Sequence, residues 1–141
     1  MINAPSPVFV IMSWAGLAAG AAAFLIGLWN SELPRNEQGF FFTVLMYGLF
    51  AAVTVQKSVR DKAEGVRVNK MFYGISWFSA ILATLLLGVG VFNAELALSE
   101  KGFYVMSYLL SLFAAITVQK NARDLEQVAQ LQDKPAERTQ G

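Results

Sequence analysis

The chain has 141 residues, of which 55% are hydrophobic and 15% charged, and its formal net charge is +1. Ordinary soluble domains carry roughly 25% charged residues, so a soluble fold is disfavoured, and without a basic stripe of interleaved aromatics no nucleic-acid partner is expected. Cysteine and histidine are both absent, which excludes disulfides, thiol redox chemistry, c-type haem attachment and His-ligated metals; no cofactor is expected.

The first apolar block, Val8 to Trp29, carries no charge. Small residues at Ala18 to Ala23 offer nominal signal-cleavage sites. No Lys or Arg precedes the block, however, and its apolar run exceeds the usual signal core of about 7–15 residues, so it reads as an uncleaved span. Gly39 to Gln56, Met71 to Ala94 and Gly102 to Gln119 form three further uncharged blocks. The shorter blocks, of 18 residues, cover about 27 Å as helix, enough to cross a hydrocarbon core. No block shows the polar face that a helix in a soluble core requires, and open β-structure would leave backbone groups unpaired in lipid. The expected fold class is an all-α membrane protein with four transmembrane helices.

Sliding the chain against itself by 63 residues aligns Leu49 to Lys57 with Leu112 to Lys120, and Arg60-Asp61 with Arg123-Asp124. The same offset pairs Glu37 with Glu100, Asn30 with Asn93, Gly27 with Gly90 and Ser13-Trp14 with Ser76-Trp77. Polar residues preserved at one common offset mark a duplicated unit. Each unit holds two spans, so both copies enter the membrane the same way round: a parallel tandem repeat of a two-helix hairpin. The units are read as 1–64 and 65–127. Residues 128–141 are read as a polar, disordered tail, because Lys134-Pro135 interrupts a helix. Ser6-Pro7 and Asn69 suit helix starts. The short hairpin connections predict that the two spans of each unit pack on one another.

Lys57, Arg60, Lys62, Arg67 and Lys70 lie in the central connection and Lys120, Arg123, Lys134 and Arg138 in the tail, against only Arg35 and Lys101 in the hairpin loops. The positive-inside rule then makes the centre and both termini cytoplasmic. Trp29, Phe40 to Phe42, Phe92, Phe103 and Tyr104 are expected to form an aromatic belt at the other surface.

Three groups of residues are candidates for function. Ser13, Gly16, Gly20, Ala23 and Gly27 draw a stripe of small residues down one face of the first span, while in the third span the matching stripe is broken by Leu86. Such a stripe packs helices closely, either within one chain or between protomers. The unbroken stripe is expected to serve a further contact with another protomer. Lys57, Arg60, Lys120 and Arg123 are candidate contacts to lipid headgroups or a partner, with Lys57 and Asp61, and Lys120 and Asp124, four apart on a helix face. The plainer reading is positive-inside anchoring. Asn30, Glu32, Glu37, Asn93, Glu95 and Glu100 lie at the outer span ends, where carboxylates attract cations at a pore mouth or simply cap helices.

The chain resembles the YiaA/YiaB family of small bacterial inner-membrane proteins from about Phe9 to Asp124. The resemblance rests on Gly27-Leu28-Trp29-Asn30, Glu37-Gln38-Gly39-Phe40, Val55 to Asp61, Ser99 to Tyr104 and Val118 to Asn121. It implies an inner-membrane location and the two-helix repeat, and brings no catalytic residues with it.

No Asp, Glu, Lys, Arg or His lies within any block, which weakens a coupled transporter and removes the usual acids and bases from the membrane interior. The leading reading is a non-enzymatic, self-associating membrane protein that assists or regulates other envelope components, with membrane lipids as its surroundings. The alternative is a small oligomeric channel or transporter.

Overall fold

The computed structural model describes the backbone from Ala4 to Gln140 and side chains from Ala4 to Asp133. Four helices follow in order: α1 Pro7–Trp29, α2 Arg35–Ala63, α3 Lys70–Asn93 and α4 Leu98–Gln140. Each is long and apolar enough to cross a membrane. α1 starts at Ser6, whose Oγ accepts from Phe9 N–H at 3.2 Å, with Pro7 in the first turn. α3 starts at Asn69, whose Oδ1 accepts from Met71 N–H at 2.8 Å. Both caps satisfy a helix-end donor that would otherwise be orphaned.

The two copies end differently. α2 closes at Gly65, which takes φ +79° while Val66 N–H reaches back to Asp61 O at 2.8 Å and Gly65 N–H to Lys62 O at 3.2 Å. That left-handed exit suits glycine. The corresponding residue of the second copy is Val128, and α4 runs through it without a break. Residues 128–133, read from sequence as the start of a disordered tail, are therefore helical. From Lys134 on, the side chains of that tail lie outside the described residues.

The packing departs from expectation. The two helices of each unit touch only sparingly; α1 lies along α4, α2 along α3, and α2 meets α4 at the centre. Each unit is thus open, and each fills the other. Loop brevity does not decide the pairing, because association in lipid follows close side-chain fit. The small stripe of α1 finds its match on α4: a Cβ on Gly16 would lie 3.6 Å from the Ala114 Cβ, and Gly20 abuts Ser111. Exchanged contacts between counterpart residues relate the two halves by a pseudo-two-fold axis between α2 and α4. Phe41 and its counterpart Tyr104 stack across it, centroids 5.8 Å apart and planes 17° apart. These two rings, expected in the outer belt, are buried instead, at 1% and 3% exposure. Trp29 and Phe92 remain outward. Around the axis Phe24, Leu45, Leu87 and Tyr108 complete a solid core.

Candidate functional site

The ionisable side chains gather past the ends of the spans, and the densest cluster lies where α2 and α4 leave the apolar zone together. Arg60 of α2 donates to Asp124 of α4, and Arg123 of α4 donates to Asp61 of α2. The pairs are exchanged by the repeat offset, so this is one contact made twice. Lys57 Nζ donates to Asp61 at 2.8 Å and Lys120 Nζ to Asp124 at 2.9 Å, the expected i,i+4 pairs. Glu64 accepts from Arg60 and, at 3.0 Å, from Arg123. Its counterpart Gln127 accepts from Arg60 at 3.2 Å.

Hydrogen bonding fixes the charge states. The bond from Lys57, opposed by burial and reinforced by Arg123, holds the Asp61 carboxyl below its ordinary range. Burial would push Asp124 up, but the bonds from Lys120 and Arg60 outweigh it and hold this carboxyl low as well. Glu64 is held low chiefly by Arg60, against partial desolvation. Arg60 is raised by its bond to Asp124 and Arg123 by its bond to Asp61, burial opposing in each. The result is a charged clasp that closes the two units on one another at this end.

Of the four candidate basic residues, Arg60 and Arg123 are engaged in this clasp and largely covered by it. Lys57 and Lys120 stay half exposed on its flanks. One turn closer to the membrane a second exchanged pair is buried: Asn121 Nδ2 donates to Ser13 Oγ at 3.1 Å, and Ser58 Oγ lies 3.5 Å from Ser76 Oγ. Asn121 Oδ1 has no partner among the described residues. Sequence reading passed over these partnerships, although the repeat offset that pairs Arg60-Asp61 with Arg123-Asp124 and Ser13 with Ser76 carried the signal.

All but one member of the small stripe have identified neighbours in α4: Ser13 meets Asn121, Gly16 meets Ala114, Gly20 meets Ser111 and Gly27 meets Phe103, while Ala23 is half-buried. The stripe is occupied within the chain. The counterpart stripe on α3 packs on α2, and it need not be equally small because α2 and α4 carry different residues at the facing positions, as at Gly48 and Ser111.

At the opposite end the two hairpin loops border an open cleft of about 570 Å³ lined by Asn30, Glu32, Glu95 and Glu100, with Phe103 and Tyr104 among its walls. Glu37 and Asn93 lie outside it. Asn30 and Asn93 each bond a carbonyl one turn back, Ile26 O and Val89 O, both at 2.8 Å. Glu37 and Glu100 occupy the first turns of α2 and α4, where the helix dipole favours an anion. Among the described residues no group of His, Cys, Asp or Glu could hold a metal ion.

Four apolar spans, a pseudo-two-fold axis and a clasp formed from counterpart residues define a multi-pass membrane protein built from two tandem two-helix units. The family model described as the yiaA/B two helix domain matches residues 9–61 and again 72–124, and the chain belongs to this family. It is 49% identical to the inner membrane protein YiaA of Escherichia coli over 87% of this chain and 85% of that one. Inner membrane protein YiaB of the same organism is 27% identical over 73% of this chain and 88% of that protein. The uncharacterized membrane protein YubF of Bacillus subtilis is 35% identical over 57 residues, 40% of this chain and 66% of that one. No solved structure matches the chain.

Proposed function

We propose that the protein is a non-catalytic component of the bacterial inner membrane that assists other envelope proteins, self-associates, and holds its clasp and both termini in the cytoplasm. The observation that carries this reading is the filled interior. Phe24, Phe41, Leu45, Tyr104 and Tyr108 occupy the bundle axis, so the molecule offers surfaces rather than a passage. Those surfaces are an apolar girdle and, at the clasp, a helical extension flanked by Lys57 and Lys120. The two lysines suit lipid phosphates or an acidic partner, and the family relationship to named inner membrane proteins supports the location. Self-association, on this reading, uses a surface other than the α1 stripe.

The acid-lined cleft favours the alternative of a small oligomeric channel or transporter, with Glu95 and Glu100 at an entrance. Any path would then run between chains, because the aromatic core closes the single bundle. Purified protein in liposomes separates the two readings: the accessory role predicts no ion or solute leak above empty vesicles. It also predicts an envelope protein that co-purifies in mild detergent and is lost on Lys57→Glu with Lys120→Glu. Leak abolished by Glu95→Gln with Glu100→Gln supports the channel.

A further inference from the structure

The packing between units is symmetric at the loop end and asymmetric in mid-membrane. At the loop end Gly27 meets Phe103 and its counterpart Gly90 meets Phe40, and a Cβ on either glycine would lie 2.6 Å from the ring Cε1. Deeper in the bundle, counterparts differ. A Cβ on Gly20 would sit 2.7 Å from Ser111 Oγ and 3.0 Å from Ser111 N. The pseudo-two-fold axis relates this pair to Ala83 and Gly48, so the side with the extra methyl faces the residue with no side chain. A Cβ on Gly48 would in turn lie 2.8 Å from Tyr108 Cε2 and 2.9 Å from Cζ. The related pair is Ser111 and Leu45, where the larger backbone-side residue faces the shorter side chain. Small in one unit is matched to large in the other, twice.

We infer that the two units are specific for each other: the mating face of the second unit accepts the first unit and rejects a copy of itself. A second unit paired with itself would set Ala83 against Ser111 and Ser111 against Tyr108 on both sides of the axis. At both of these places an added Cβ on the facing glycine finds a neighbour at 3.0 Å or less. Relief is costly at both. Tyr108 is fully buried, with its hydroxyl 3.3 Å from Thr84 Oγ1, and at Ser111 the opposing atoms include the backbone. A first unit paired with itself would instead face Gly20 to Gly48 and Gly48 to Leu45, leaving voids, and voids forfeit the dispersion that holds helices together in lipid. Where units are exchanged between two copies of the chain, the first unit of one therefore takes the second unit of the other.

The test exchanges residues within the full-length chain. Gly20→Ala, Leu45→Tyr and Gly48→Ser together give the first unit the mating residues of the second. This triple variant is expected to lose the monodisperse peak in detergent chromatography. Adding Ala83→Gly, Tyr108→Leu and Ser111→Gly restores the small-to-large match with the roles reversed, and the peak is expected to return. Recovery distinguishes matched faces from general damage, since three further core substitutions would otherwise worsen the protein. A triple variant as monodisperse as the parent, or a sixfold variant no better than the triple, overturns the inference.

Discussion

Arg60 is bonded to Asp124, the residue next to its own repeat counterpart Arg123, and Arg123 is bonded to Asp61 in return. A chain in which each unit folded on itself would have no reason to make that exchange. The contact closes the two units at the end where α2 and α4 leave the membrane, so its removal acts on the whole bundle. Arg60→Ala is expected to destabilise the detergent-solubilised protein by about 1–2 kcal/mol, within the range for hydrogen bonds to charged groups at a partly exposed site. In a double-mutant cycle Arg60→Ala and Asp124→Ala are coupled, whereas Arg60→Ala and Glu37→Ala, at opposite ends of α2, are additive. Thermal midpoints of the single and double variants measure this.

The same carboxylates set a pH dependence. Asp61, Asp124 and Glu64 all have folded pKa values below their ordinary ones. The stability they contribute is therefore fully present above the unfolded values, at about pH 4, and is lost as pH falls below that toward the folded values. Thermal stability is expected to be flat across neutral pH and to fall below about pH 4, with a shallower fall in Asp61→Asn with Asp124→Asn. A scan from pH 7 to pH 3 at constant ionic strength reads the difference.

Much of this was legible in the sequence. Apolar blocks gave the spans, and polar residues kept at one offset gave the duplication, because lipid and gene duplication both leave linear signatures. The pairing of helices was not legible. Short loops suggested contact within each unit, but close fit between Gly16 and Ala114, or Gly27 and Phe103, depends on which faces meet in three dimensions. Phe41 and Tyr104 were likewise indistinguishable from their belt-forming neighbours until the axis between them was known. Arg60 and Arg123 read as anchors for the same reason: their partners lie 64 and 62 residues away.

The symmetric loop-end contact predicts matched effects. Gly27→Ala and Gly90→Ala should each destabilise the protein by about 1–3 kcal/mol as overpacking, and so lower the thermal midpoint by similar amounts. Phe103→Leu should relieve the first and Phe40→Leu the second, and neither should relieve the other. Cross-relief would show the pairing to be within units.

Orientation is tested by reporters active only in the periplasm. The positive-inside reading expects silence for fusions at Gly141 and in the Lys57 to Lys70 connection, and activity at Arg35 and Ser99. Activity at Gly141 would invert the proposed topology and move the clasp out of the cytoplasm.

The measurement that tests cross-unit packing most directly is a disulfide between Gly16→Cys and Ala114→Cys, in a chain that has no other cysteine. The separation of 3.6 Å between Cβ positions falls within the span a disulfide bridges, about 3.5–4.5 Å. With a protease site inserted in the connection between α2 and α3, oxidation followed by cleavage should leave the two halves joined, running as one intact chain until reductant is added. Halves that separate without reductant, or a bond found only between chains, would contradict the account.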